Sequence, residues 1–470
     1  MITFLICLAI LIGGYFIYGT YVEKIVGVND ENVTPATRLQ DGVDFVPMPW
    51  YKVFLIQFLN IAGVGPIFGA VMGALFGPVA FLWITLGTVF AGGVHDFLSG
   101  VISMKHDGTS VSEIVGIYLG NTMKIVMRVF SVVLLILVGT VFVTSPAGLL
   151  ASMTGKSLML WTFIIIVYYI LATILPVDKI IGKVYPVFGA ALMIMAVGIC
   201  GAMFMGEFRG TMVMPELTLT NLHPQGLSVF PFLFTTIACG ALSGFHATQS
   251  PMMARCVNRE SESKRVFYGA MVAEGIIALV WAAIAMTFFG GTEGLAAGLV
   301  QYGGQSGVVT HISKTLLGPS GAVLAILGVV ACPITSGDTA FRSARLTIAD
   351  AFNIKQDGLK NRFILALPLF AICIVLTQID FNIIWRYFAW SNQTLATIFL
   401  WTGSVFLVKN KKNHWITTVP ATFMSYVCIS YILQAPEGFR LPAMFSDITG
   451  VIGAAAIFIF FMMKTKKEDK

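Results

Sequence analysis

His95 and Asp96 stand side by side in VHDFLSG, inside a long apolar stretch, and Glu274 stands alone in the equally apolar VAEGIIALV. His246 lies in GFHATQSP and Asp338 in ITSGDTA. Carboxyls and imidazoles take up and release protons, histidine doing so near neutrality. Ionisable groups are costly in hydrocarbon, so those that occur there are candidates for function. Asp96 and Glu274, with His95 beside Asp96, are therefore the candidates for carrying a proton. His246, near Thr248, Gln249 and Ser250, suits relaying a proton, giving a neutral hydrogen bond to a ligand, or packing on Phe245. Each has a plainer reading too. Asp338 has Arg342 four residues on, an intrahelical ion pair. His95 could satisfy a carbonyl, and Asp96 and Glu274 could hold helices together by hydrogen bonds.

Two glycine-rich stretches interrupt the apolar sequence around these residues. GVGPIFGA (63–70) can be laid on GALSGFHA (240–247), matching Gly63 with Gly240, Phe68 with Phe245 and Ala70 with Ala247. A helix broken in hydrocarbon frees backbone groups that protein or water must satisfy. Half-helix N-termini offer N–H groups to anions, and unwound carbonyls suit cations. Gly63, Val64, Gly65 and Pro66 would form one such site, and Gly240, Ala241, Leu242, Ser243 and Gly244 the other, for a small substrate bearing a carboxylate. Glycine leaves the backbone open to a ligand. It is also common in membrane helices for close packing alone. In WRYFAWSNQ (385–393), Asn392 and Gln393 are candidates for polar lining. Trp385, Tyr387 and Trp390 read as an interfacial belt, with Arg386 snorkelling outward or gating an anion.

The elements that must position these residues are membrane helices. The chain has 470 residues, 57% hydrophobic and only 11% charged, against roughly 25% charged in soluble domains. Apolar runs fall near 2–20, 52–77, 78–104, 121–148, 157–175, 180–206, 230–256, 262–290, 319–348, 361–378, 381–408, 414–434 and 447–464. At about 20 residues per crossing, they make an all-α polytopic membrane protein of about thirteen transmembrane helices. Pieces near 110–120 and 292–316 read as amphipathic helices at a membrane face. The net charge of +6 follows topology, since its lysines and arginines sit between apolar runs; nucleic acid is not the expected partner, and the lipid bilayer is. The seven cysteines stand singly, without metal spacing, and read as small buried hydrophobes. The first apolar run, MITFLICLAILIGGYF, lacks a basic n-region and reads as a retained helix.

VTSPAG (143–148) resembles ITSGDTA (334–340) in the third helix after each break, so five helices read as duplicated into five more. An odd-numbered unit inserts its second copy upside down, and inverted repeats with a broken helix in each half point to a secondary transporter with a midplane site. The organisation expected is a first helix and loop (1–51), repeat one (52–206), an extracellular loop (207–229), repeat two (230–408), and two further helices with a short tail (409–470).

TPATRLQDGVDFVP (34–47), IAGVGPIFG (61–69), HDFLSGVISMKHDGTSVSEI (95–114) and ALSGFHATQSPMMAR (241–255) together resemble the carbon starvation protein A family. The resemblance implies a five-plus-five inverted-repeat fold akin to the amino acid–polyamine–organocation (APC) transporter superfamily. It also implies proton-driven uptake of pyruvate or short peptides in nutrient starvation. In the related fold a hydroxyl pair on the third helix after the second break joins carbonyls of the first broken helix to hold sodium. Thr335 and Ser336 occupy that place, and oxygen ligands suit a hard cation. Sodium-coupled carboxylate or amino-acid symport, or nutrient sensing, are therefore the alternatives. No cofactor is expected beyond the ion gradient. MTGKS (153–157) is not a phosphate loop, because Leu150 stands where its first glycine belongs, and no HExxH or nucleophile–base arrangement suggests an enzyme.

Orientation follows from the loops. Lys24, Arg38, Lys105, Lys124, Lys179, Lys183, Arg255, Arg259, Lys264 and Arg265 gather on one side, with Arg342, Arg345, Lys355, Lys360, Arg362, Lys409, Lys411, Lys412 and the lysine-rich tail. The other side keeps Lys156, Arg209, Lys314, Arg386 and Arg440. The positive-inside rule then places the N-terminus outside and the C-terminus in the cytoplasm of a plasma-membrane protein. Single cysteines near Arg259 and Lys411, in a cysteine-free background, should resist an impermeant thiol reagent in intact cells. Labelling from outside would reverse the topology.

Overall fold

The computed structural model describes residues 1–42, 44–174, 177–352, 354 and 359–468; Lys355 and Lys470, counted above for orientation, lie outside the described residues. Helices α1 (Ile2–Phe16) and α2 (Tyr18–Val26) make the first crossing, and α3 (Pro35–Arg38) lies in the loop after it. The first broken helix is α4 (Trp50–Ile61) and α5 (Gly65–Gly73), bent by 48° at residues 62–64. Next, α6 (Val79–Gly87) runs through a π-helical turn at Thr88–Gly92 into α7 (Gly93–Lys105), and α8 (Val111–Leu119) follows. Long helices α9 (Asn121–Thr154), α10 (Leu158–Ile174) and α11 (Val177–Phe208) complete the first half.

The second half opens on another broken helix, α12 (Val229–Thr236) and α13 (Gly244–Ala254). A second π-helical turn at Lys264–Tyr268 leads into α14 (Gly269–Phe289). Helices α15 (Thr292–Gln301) and α16 (Gln305–Ala325) cover the 292–316 region, the latter kinked at Gly318, where the backbone is left-handed (φ 59°). A third π-helical turn, Ile326–Ala331, joins α17 (Cys332–Phe352). The remainder is α18 (Leu359–Leu376), α19 (Phe381–Lys409), α20 (Trp415–Gln434) and α21 (Ala443–Glu468).

Among the described residues, eight helices are long and apolar enough to cross a membrane, or nine with the bent pair as one span. The sequence reading counts more, and the difference has a physical source. Helices α12 and α13 are short because the chain breaks between them. Helix α17 buries Asp338, Arg342 and Arg345, and α19 buries Asn392, Gln393 and Thr397, so polar residues that face protein dilute their apolar character.

The basic loops meet at one end of the bundle, where Lys264 pairs with Glu23 at 2.9 Å, Lys105 with Glu260 at 3.9 Å, and Arg38 with Asp107. Arg386 pairs with Glu437 at 3.1 Å. The aromatic belt expected around it is corrected at Trp385, which is buried among Phe68, Phe381 and Phe388. Its neighbour Tyr387 is exposed, so only part of the group faces outward.

Glycine serves close contact at the breaks. A Cβ on Gly65 would lie 2.5 Å from the Cβ of Cys239, and one on Gly63 would lie 2.8 Å from Phe142. A Cβ on Gly244 would strike the backbone of α19, 2.4 Å from the Asn392 carbonyl oxygen. The open cleft expected at these glycines is thus filled by protein. Gly244→Ala should lower the stability of the detergent-purified protein by about 1–3 kcal/mol, as overpacking against rigid backbone does. Gly201→Ala, where a Cβ meets nothing within 4 Å, is the control. Equal thermal midpoints for the two variants would refute the contact.

Candidate functional site

The second break covers residues 237–243, and several carbonyls in and beside it accept from side chains on neighbouring helices. Trp83 Nε1 donates to Ile237 O at 3.2 Å, Thr88 Oγ1 to Gly240 O at 2.9 Å, and Gln393 Nε2 to Phe234 O at 3.0 Å and Ala238 O at 3.5 Å. Asn392 Oδ1 accepts from the Phe245 N–H at 2.7 Å, capping α13 from another helix. Asn392 and Gln393, expected to line a substrate site, hold the break together here. Ser243 Oγ also donates to Asn392 Oδ1 at 3.2 Å. Thr88 belongs to the first π-helical turn, so that irregularity presents a hydroxyl to the break.

Helix α13 starts at Gly244, which places His246 in its first turn and turns the side chain toward α7 and α14. His246 Nδ1 lies 2.8 Å from Asp96 Oδ2, and the other oxygen of Asp96 lies 2.8 Å from His95 Nδ1. On the far side of the imidazole, Nε2 is 3.3 Å from Glu274 Oε2. All four side chains are fully buried. The sequence reading pairs His95 with Asp96 and treats His246 and Glu274 as separate candidates, and the structure joins all four into one chain, His95–Asp96–His246–Glu274. One turn further along both helices, Ser99 Oγ donates to Ser250 Oγ at 2.7 Å, and Ser250 in turn to His246 O at 3.0 Å.

An ionised Asp96 can only accept hydrogen bonds. That puts hydrogen on Nδ1 of both imidazoles and leaves each Nε2 as the free atom. His246 Nε2 and both oxygens of Glu274 lack a hydrogen bond of normal geometry. Burying such atoms facing one another is costly unless something is shared between them. The gap from Nε2 to Oε2 is thus the place in the cluster where a cation would be shared. Cys239, beside this gap, is absent from the sequence-based candidates. Its thiol contacts Ser243 Oγ at 3.5 Å and Asn392 Nδ2 at 3.7 Å. A lone cysteine in an apolar run carries no spacing signal, so only the fold reveals it.

The first break is met by α17. Ser336 Oγ donates to Leu59 O and to Cys332 O, both at 3.0 Å, and Cys332 Sγ to Ala62 O at 3.3 Å. Thr335 Oγ1 donates to Cys332 O at 2.7 Å. Of the expected hydroxyl pair, Ser336 thus reaches a carbonyl of the first broken helix, and Thr335 bonds a carbonyl of its own helix. Gly63 and Val64 lie in the break itself, whereas Gly65 and Pro66 begin α5. Asp338 pairs with Arg342 at 3.6 Å, the intrahelical ion pair read from the sequence.

This architecture is found in solved transporters of low sequence similarity. It superposes on a manganese transporter of Eremococcus coleocola with a TM-score of 0.58 and 12% identity, covering 91% of this chain and 99% of that one. It superposes on Mhp1, a nucleobase-cation-symport-1 family transporter, with a TM-score of 0.54 and 15% identity, covering 90% and 95%. The fold is that of polytopic membrane transporters. The chain belongs to the carbon starvation protein CstA family, whose model matches residues 1–158, 142–292 and 283–431. It is 26% identical to the peptide transporter CstA of Bacillus subtilis, over 97% of this chain and 94% of that protein. A membrane protein of Haemophilus influenzae is 43% identical over 63% of this chain and 93% of its own length.

Because Asp96 and His246 share one hydrogen-bonded chain, their substitutions should not add. In a double-mutant cycle of Asp96→Asn and His246→Gln, read by thermal unfolding in detergent, the coupling expected is about 0.5–3 kcal/mol. Additive losses would show that the two side chains act independently.

Proposed function

We propose that this protein is a secondary active transporter that imports a small carboxylate-bearing carbon source, pyruvate or short peptides, across the plasma membrane by proton symport in nutrient starvation. The observation that carries the proposal is the buried His95–Asp96–His246–Glu274 chain at the second break. Relatives named peptide transporters support the substrate class. In this reading residues 52–206 and 230–408 are inverted repeats of five helices each. The reading is favoured by two broken helices, each followed by a helix with a π-helical turn and one buried carboxylate, Asp96 or Glu274. The N-terminus lies outside and the C-terminus inside.

The proton's place is the gap between His246 Nε2 and Glu274. A proton there links α13 to α14, and through Asp96 to α7. Its loss leaves a lone pair facing a carboxylate, which favours separation of these helices. Substrate would sit between the breaks, where Gly65 now touches Cys239, so admitting it requires the breaks to part. Its carboxylate would meet the N–H groups of Gly63, Val64 and Gly65, beside Pro66, and those of Gly240, Ser243 and Gly244. Loss of the proton and parting of the breaks thus move the same pieces.

Sodium coupling is a second reading with its own observation. Ser336 Oγ meets Leu59 O of the first broken helix and Cys332 O, and Thr335 Oγ1 meets Cys332 O, oxygen groups of the kind a hard cation takes. Proteoliposome uptake of labelled pyruvate and a dipeptide, under proton and sodium gradients imposed separately, distinguishes the two. Accumulation driven by the proton gradient alone is expected, and accumulation only with sodium would move the coupling site to Thr335 and Ser336. Asp96→Asn and Glu274→Gln should retain counterflow but lose proton-driven accumulation, one more severely than the other. Unimpaired accumulation in both variants would remove these carboxyls from the coupling step.

A further inference from the structure

We propose that Cys239, His246 and Glu274 form a binding site for a borderline-soft divalent metal ion of the Zn²⁺ class, with Asp96 holding the imidazole from behind. The proposal does not depend on the transport reading. It begins with donor types: one thiol, one imidazole and one carboxylate are the ligands Zn²⁺ takes, and a thiol among them disfavours Mg²⁺ or Ca²⁺. One ligand atom from each residue lies within 4.8 Å of the other two, and all three residues are buried.

One edge of the trio already has the length a tetrahedral ion requires. Bonds of about 2.0–2.3 Å to nitrogen, oxygen and sulfur give a tetrahedron with edges of about 3.3–3.8 Å. The 3.3 Å between His246 Nε2 and Glu274 Oε2 is already such an edge. It is longer than the usual 2.9–3.0 Å of an N–H···O bond, and neither atom has a hydrogen bond of normal geometry. Two fully buried atoms that face one another at this distance can both be ligands of one ion.

The surroundings match a metal site as well. A ligating histidine almost always gives its other ring N–H to a carboxylate or carbonyl, which fixes the tautomer and makes the ligand nitrogen more basic. Asp96 takes that role at 2.8 Å and is itself held by His95. Ser243 and Asn392 stand 3.5 and 3.7 Å from the sulfur, positions from which they can donate to a thiolate. A dication would also offset two of the three negative charges that the thiolate and the two carboxylates carry. Gly240, in the left-handed region at φ 89°, packs so closely on α14 that a Cβ there would lie 2.5 Å from Ala278. Cys239 is thereby held against the helix that carries Glu274. Three protein ligands leave one position open.

Bound metal would occupy the electron pair on Nε2 that a proton would otherwise take, so metal and proton compete for this atom. Cobalt(II) is the probe, because a thiolate ligand gives it a charge-transfer band in the near ultraviolet. Full-length protein would be purified in detergent from cells grown with Co²⁺, and separately incubated with Co²⁺ after purification. About one cobalt per chain is expected, with the thiolate band displaced by Zn²⁺. The band should vanish in Cys239→Ser and persist in Cys256→Ser. Asp96→Asn should keep the band but weaken affinity about 10- to 100-fold, as loss of a carboxylate behind a ligating histidine does. No retained cobalt in either preparation, or a band unchanged in Cys239→Ser, would overturn the site. If Cys239→Ser does not fold, X-ray absorption of the Zn²⁺-loaded native protein decides. A shell with one sulfur supports the site, and a shell of nitrogen and oxygen alone refutes it.

Discussion

Everything in this fold answers to the cost of a backbone polar group left alone in hydrocarbon. A continuous helix satisfies its own N–H and C=O groups, and a break releases several at once. This chain breaks two buried helices, at residues 62–64 and 237–243, and then arranges the rest of the bundle to meet the freed groups. Ser336 and Cys332 bring α17 to the carbonyls of the first break. Thr88, Trp83 and Gln393 bring α6, its π-helical turn and α19 to the second. The helices that surround the breaks are therefore fixed by hydrogen bonds that have no substitute in lipid. Apolar packing fills the space between them, but it does not choose which helix stands where.

The parts legible in the sequence are those encoded locally. Glycine clusters within apolar runs locate both breaks, and run lengths locate the helices around them. The ionisable residues at positions 95, 96, 246 and 274 stand out because their types are rare in such surroundings. What a linear reading does not reach is partnership. Asp96 and His246 are separated by 150 positions, and their 2.8 Å contact exists only because α13 crosses α7. Asn392 reads as polar lining, yet its amide oxygen caps a helix start far from it in sequence. Cys239 reads as a small hydrophobe, and its polar surroundings come from three different elements. Trp385 reads as an interfacial residue because it precedes an arginine, while the fold buries it on Phe68. In each case the residue type is informative and its neighbour decides the role.

Glycine shows how one residue type supports two readings that only geometry separates. An open backbone for a ligand and an open backbone for a neighbouring helix look alike in sequence. At Gly65 and Gly244 the space belongs to Cys239 and to α19. The two uses are not exclusive over a working cycle. A contact made by small atoms alone gains little from dispersion, because few atoms touch, so it can open without large loss. Hydrogen bonds fix each break to its outer neighbours, whereas the contact between Gly65 and Cys239 is made by small atoms.

The buried chain of imidazoles and carboxylates adds a charge constraint to that mechanical one. His95, Asp96, His246 and Glu274 alternate between groups that are positive when protonated and groups that are negative when ionised. In a water-free core an uncompensated charge on any of them costs far more than the weak contact between the breaks. The cluster therefore holds a cation in the gap at Nε2, or one of its carboxyls keeps its proton, or the surrounding helices separate and admit water. A proton and a metal ion both answer the first condition, but not equivalently. A proton binds along one line between two atoms and leaves when they move apart. A metal ion binds three ligands from the break, α13 and α14 at once, and resists their separation. One cavity of fixed donors could thus serve as a moving joint or as a clasp, according to which cation occupies it.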